Sequence, residues 1–457
     1  MDAADPPQRF ESEMSQHQRN LVDLCLEEGQ YEAAIEALAQ LRSPHHKPSA
    51  AHIRQLLFMA LYSPSDTRVH VDLSASPSKR QKKSYLLPSP AASLASQQLL
   101  VSFAITNTPA AVIRALRPTD AAPEDDNECF VATESLCISR CKSCWQVLVD
   151  GFLNHQQIYG AAPSRKGKRR DTGGHGSFGD LSTMSDLRAP VGDTAWPVLE
   201  WLLLIFERDE DESGVSPRHS PLLLEQLGMP SRRDTDAPLA VIVYCYEQSD
   251  PRRRIFGSRL LNLLINLSST THLDFPLLVA SVFNRLSSSS LDDIPSLLAN
   301  LKQSAAVSKF KIAVYQKYFN DSTGTATQVS VRPRPQARAQ TKGSPVKARN
   351  AAQPVSLANK YRAPCSADVL RLVEGTTTTP ASLGLKIKFE LLVSYNAFQM
   401  EAPPAERDQE WAELLHNGII TKTLDAAFGR KGGAGESGPY RDLLDIVLNL
   451  ADHEAGF

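Results

Sequence analysis

Four of the seven cysteines in this 457-residue chain fall in one stretch, ECFVATESLCISRCKSCWQVLVDG, residues 128–151. Thiolates are soft ligands, so Cys129, Cys137, Cys141 and Cys144 are the side chains best suited to an iron–sulfur cluster or a zinc ion. The last three, spaced C-x3-C-x2-C, could converge on a cluster from a loop. A tetrahedral zinc site needs a fourth donor, which Cys129 would supply. A third arrangement binds nothing. Positions 137, 141, 144, 148 and 152 step by four, three, four and four residues, one stripe of a helix. Thr133 would cap that helix and Glu134 would sit near its positive end. Free cysteine packs as a small apolar group and is among the most buried residue types. The periodicity favours packing, zinc on Cys129, Cys137, Cys141 and Cys144 stands as the alternative, and no cofactor is expected.

The cysteine spacing is similar to that of the radical S-adenosylmethionine enzymes, which implies a cluster held after the first strand of a barrel. Here no alternation of strands and helices surrounds it. Ser143 also stands where that family has an aromatic residue. GAGESG, Gly433 to Gly438, fits G-x-G-x-x-G, but a helical pattern and not a strand precedes it, so it reads as a loop between helices. No phosphate-binding loop, H-E-x-x-H or clear Ser/His/Asp set is present. The expectation is a protein without catalytic residues or a small-molecule substrate.

The elements that must position these groups read as helices. QRNLVDLCLEEGQYEAAIEALAQLRSP, within 15–62, has apolar residues at steps of three and four on both sides of Gly29, predicting two antiparallel helices and a tight turn. A third helix follows in AAHIRQLLFMALY. Gly29, Tyr31, Ala34, Ile35 and Leu38 resemble the turn and second helix of a tetratricopeptide repeat, over one unit near residues 17–42; the resemblance implies stacked helix pairs. Helical patterns continue over 94–159, with Thr108 as a helix cap and Pro109 in the first turn. They are dense over 195–320, where short helix pairs resemble armadillo or HEAT solenoids, and return over 363–457. AVIVYCY alone suits helix or strand. The fold class expected is all-α: stacked helix pairs, as an irregular solenoid or a bundle, joined by long disordered linkers at 63–93, 160–194 and 321–362.

Those linkers carry the charge. The formal net charge is only −2, but it is unevenly spread. Lys79, Arg80, Lys82 and Lys83 form KRQKK, and Arg165, Lys166, Lys168, Arg169 and Arg170 form RKGKRR. Both are flanked by Ser, Pro or Gly, as accessible nuclear-import signals are. From Ser322 to Arg362 there are eight Lys or Arg and no acids; RPRP there resembles a minor-groove hook, with proline in place of glycine. Ser76 and Ser344 each begin S-P-x-K, which suits proline-directed cyclin-dependent kinases; a phosphate there would add about −2 beside basic residues.

The longest apolar runs fall short of the roughly 18 residues a membrane span needs, so no membrane contact is expected. The acidic start MDAADPPQRF has no signal-peptide core, which predicts reduced thiols in cytosol or nucleus. The functional expectation is a nuclear, non-enzymatic scaffold or adaptor that binds protein partners in a multi-subunit complex. The alternative is a chromatin, repair or transcription factor whose basic linkers contact nucleic-acid phosphates.

Overall fold

The computed structural model describes residues 11–62, 87–117, 129–153, 188–212, 218–228, 235–289, 293–322, 363–375, 381–429 and 438–455. Among them the fold is all-α, with nineteen α-helices and one two-residue parallel strand pair, β1 (Ser12–Glu13) with β2 (His46–Lys47). The chain forms two compact units, Met1–Leu263 and Leu264–Phe457, so residues 195–320 contribute to both.

The first unit begins with α1 (Gln16–Glu27), α2 (Tyr31–Leu41) and α3 (Ala50–Leu61). Ser15 and Gln18 form a reciprocal capping box at the start of α1, the pairing that satisfies two otherwise orphaned amides. The helix stops at Gly29, whose φ of 73° lies in the left-handed region. The amide of Gln30 then donates to Cys25 O at 2.8 Å, and that of Gly29 to Leu26 O at 3.1 Å, so the exposed carbonyls are used as a Schellman motif uses them. The hairpin expected from the sequence is therefore present, and Val22, Leu26, Ala34 and Leu38 line its buried seam.

Next come α4 (Pro90–Thr106) and α5 (Pro109–Ile113), then α6 (Phe130–Ser139) and α7 (Cys144–Leu148). The long α8 (Trp196–Glu212) follows, then α9 (Pro221–Gln226), α10 (Asp236–Glu247) and α11 (Pro251–Thr270). AVIVYCY lies in α10 and is helical. The unit boundary falls within α11. Helix α8 is apolar on most sides, and Trp201, Leu203, Ile205 and Phe206 are fully buried, as befits a helix packed against α3, α4, α5, α7 and α9.

Many helix ends are completed by side chains from elsewhere in the chain. Glu11 accepts from the Thr108 amide and hydroxyl, both at 2.8 Å, and so caps α5. Thr108 is the helix cap by position, as expected, but a distant carboxylate does the accepting. Arg208 closes the other side of this junction by donating to Asn107 O at 2.6 Å and to Ala104 O. Asp209 accepts from the Leu222 amide at 2.9 Å and Ser220 Oγ at 2.6 Å, fixing the start of α9. Each contact satisfies groups that a helix end leaves unpaired.

The second unit holds the rest of α11, then α12 (Phe275–Ser289), α13 (Asp293–Ala299), α14 (Ala305–Ser322), α15 (Ser366–Glu374) and α16 (Ala381–Glu401). It ends with α17 (Gln409–His416), α18 (Ile419–Phe428) and α19 (Gly438–Ala455). Helices α14 and α16 pack along each other, burying Phe310, Val314 and Tyr315 with Ile387, Leu391 and Tyr395. Asp408 joins α15, α16 and α17: it accepts from the Ser366 amide at 2.6 Å, Tyr395 Oη at 3.0 Å and the Glu410 amide at 3.1 Å. The segment 409–429 is two helices, because Gly418 turns the backbone left-handed at φ 65°.

Two expected linkers are shorter than their sequence limits. Helix α4 starts at Pro90, capped by Ser89 Oγ. Residues 188–195 are built into the fold, with Val191 buried and the Gly192 amide donating to Leu148 O at 2.9 Å.

Candidate functional site

Cys129, Cys137, Cys141 and Cys144 are all buried and all free thiols, but they do not lie along one helix. The helix ends at Ser139, residues 140–143 turn, and α7 begins at Cys144. Cys129, and not Thr133, is the cap: its sulfur accepts from the Ala132 amide at 3.3 Å. The break is held open by glutamines. Gln146 Oε1 accepts from the Lys142 amide at 3.0 Å, and Gln226 Oε1, from α9, accepts from the Cys144 amide at 2.9 Å. Cys141 Sγ turns back to Cys137 O at 3.5 Å. Leu148 completes the buried set, while Phe152 is half-buried. Among the described residues no group of three or more His, Cys, Asp or Glu is placed to hold a metal ion.

Burial pushes the thiols of Cys137, Cys141 and Cys245 up to about 12, and raises Cys144 further. Burial also raises Cys129, whose hydrogen bonds from backbone amides oppose the shift. The thiolate is the reactive form, so these groups are inert while the fold holds. A disulfide reagent at pH 8 should therefore label only exposed Cys365 and half-buried Cys25 in the native protein. All seven cysteines should react in guanidinium. Rapid native labelling of Cys137 or Cys141 would contradict this packing.

The other sites anticipated from the sequence lie outside the described residues: Lys79, Arg80, Lys82 and Lys83; Arg165, Lys166, Lys168, Arg169 and Arg170; Ser76 and Ser344. The same holds for RPRP and for GAGESG up to Ser437.

A surface the sequence reading took only as helix carries more charge chemistry. Helix α11 opens PRRRIFGSR. Trp196 stacks on Tyr244 (ring centroids 5.9 Å, 14°) and on Phe256 (6.4 Å, 26°), and the Arg253 guanidinium lies over it at 4.6 Å. Arg254 lies 5.8 Å over Tyr246 and donates through Nε to Gln248 O at 2.6 Å. Arg252, Arg254 and Ile255 are exposed. The acids nearby are largely committed. Asp250 accepts from the Arg252 amide at 2.9 Å, and Glu207 binds Arg259 through two bonds of 2.7 and 2.6 Å. Asp193, itself 95% exposed, approaches Arg253 only to 3.9 Å.

Three cations thus occupy the first turn of a helix, with no acid there. The backbone dipole at that end favours negative charge, so each cation costs a few tenths of a kcal/mol. Local rules are broken most often where function requires it. The run R-R-R directly after S-D-P was the available signal.

The patch is held rigidly by a close helix crossing. A Cβ at Gly257 would lie 2.9 Å from Cys245 Cβ and 3.0 Å from Ile242 O. Alanine is normally worth about 1 kcal/mol over glycine inside a helix. Here Gly257→Ala should instead lower stability by about 1–3 kcal/mol, because α10 and α11 must move apart. Urea unfolding measures the sign, and a stabilised variant would refute the contact.

No protein-family model matches the chain, and it matches no curated protein and no solved structure. None of the described helices is long and apolar enough to cross a membrane.

Proposed function

We propose that this chain is a nuclear, non-enzymatic helical adaptor that binds protein partners, with Ser76 and Ser344 as substrates of proline-directed kinases. The observation carrying the reading is apolar surface on outer helix faces. Leu21 and Leu24, one turn apart on α1, are 49% and 55% exposed. Leu443 and Ile446 repeat the spacing on α19 at 49% and 57%. Adjacent exposed apolar side chains on a helix suit a helix-to-helix contact. Polar groups support it from the other side, since buried Glu11 and half-buried Arg208, Asp209 and Asp408 are engaged with helix ends.

Leu21→Asp with Leu24→Asp should leave helical content unchanged and release at least one protein that co-purifies with the wild-type chain. Retention of every partner by both this variant and Leu443→Asp/Ile446→Asp would overturn the assignment of these faces. Neutralising KRQKK and RKGKRR together should shift a fluorescent fusion from nucleus to cytoplasm; an unchanged distribution sinks the import reading.

A further inference from the structure

We propose that the arginine cluster Arg252–Arg254 is the docking site for this chain's own 63–86 segment once Ser76 is phosphorylated. The inference rests on the reading of Ser76 as a kinase substrate. The modification itself needs a proline-directed kinase and ATP. The bond from the γ-phosphorus to the ADP oxygen breaks, a bond from that phosphorus to Ser76 Oγ forms, and the hydroxyl proton passes to the kinase base and then to solvent.

The first argument is charge. Arg252 and Arg254 are exposed, and among the described residues no carboxylate pairs with either guanidinium. Arg253 lies over Trp196 and donates to Gln248 Oε1 at 3.3 Å, with Asp193 as its one distant acid. A phosphate dianion accepts several charge-assisted bonds, and planar guanidinium groups match its oxygens in pairs.

The second argument is connection. The 63–86 segment leaves the described fold at Tyr62, the residue after the end of α3. Leu61 O accepts from Thr194 Oγ1 at 3.0 Å. Thr194 follows Asp193, which approaches Arg253, and precedes Trp196 by two residues. The segment therefore departs beside the cluster. Ser76 is fourteen residues beyond Tyr62, and a chain of that length spans up to about 46 Å. The site lies well within that reach, so docking is intramolecular and needs only modest intrinsic affinity.

The third argument is selectivity. Without phosphate the segment holds five Lys or Arg against two Asp and is repelled by the cluster. Phosphate adds about −2 at Ser76, which lowers the segment's net positive charge and places a dianion within it for the arginines to bind. Docking would also draw Lys79 to Lys83 onto the folded body and lower nuclear import through that signal.

The test uses the full chain. A fluorescein-labelled peptide of residues 70–84 with phosphoserine at position 76 is titrated against three proteins: unmodified chain, Arg252→Gln/Arg254→Gln, and chain carrying phosphoserine 76 introduced during translation. The peptide should bind the unmodified chain and weaken about tenfold or more with the two arginines neutralised, the scale of losing two charge-assisted contacts. It should weaken at least as much on the phosphorylated chain, whose site is filled in cis. Binding should also fall steeply between 50 and 300 mM salt. Arg140→Gln/Lys142→Gln, which removes two other exposed charges, should bind as wild type, and circular dichroism checks that each variant folds. The proposal is overturned if the unphosphorylated peptide binds equally, if the arginine variant is unaffected, or if the phosphorylated chain still takes up the peptide at full affinity. A non-phosphorylated polyglutamate peptide binding as tightly would assign the cluster to an acidic partner instead. Because the phosphate is installed directly, failure here leaves the adaptor reading standing, and loss of that reading leaves this result intact.

Discussion

Asp408→Ala should destabilise the C-terminal unit by about 3–5 kcal/mol, because it strands two buried donors at once and removes a helix cap. Tyr395 is fully buried, so its hydroxyl would lose its acceptor without gaining water. The Ser366 amide, bonded at 2.6 Å, starts α15, and the Glu410 amide, bonded at 3.1 Å, starts α17. Asp408→Asn keeps one acceptor oxygen and should cost roughly half as much. Burial opposes ionisation of Asp408, but the hydrogen bonds from Ser366, Tyr395 and Glu410 outweigh it and hold the carboxyl below the usual range. A lowered value in the folded state means this contribution is fully present above about pH 4 and is lost as pH falls through the folded value. Hydrogen exchange of peptides covering 366–374 and 409–416 would localise the effect. Unchanged protection in both would refute the shared cap.

Trp201→Ala should cost about 3–5 kcal/mol in the N-terminal unit, the range for emptying a large core site. Trp201 has no exposed surface and sits in the middle of α8, which neighbours five other helices of that unit. Its indole N–H has no acceptor among the described residues. Trp201→Phe therefore gives up volume but no hydrogen bond, and should cost only about 1–2 kcal/mol. Urea denaturation followed by far-ultraviolet circular dichroism should separate the two variants clearly, with the two units free to unfold in separate steps. Equal losses would show that the site tolerates collapse and that α8 is not the centre of that core.

Helix positions were legible where the signal is local. Ser15 with Gln18 marks a start, Gly29 marks a stop, and the apolar steps between Ala34 and Leu38 mark a buried face; all three act within a few residues. The cysteine stripe failed for the opposite reason. Its spacing is perfect for one helix, yet Gln226, 82 residues further on, takes the Cys144 amide and makes a second start there. No local pattern contains that partner. Glu11 at Thr108 and Asp408 at Ser366 are the same case, acids far along the chain that decide where a helix begins. The Arg252–Arg254 cluster was visible as three letters, but its meaning depends on Trp196 and on Leu61 meeting Thr194, which only the fold brings together.

The adaptor reading is tested most directly by purifying the tagged full chain from nuclear extract with nuclease present and at 300 mM salt. The predicted result is a fixed set of proteins held in near-stoichiometric amounts, and reduced when Leu21 and Leu24 are made aspartate. Partners that vanish on nuclease treatment, or a chain recovered alone from the nuclear fraction, would contradict it.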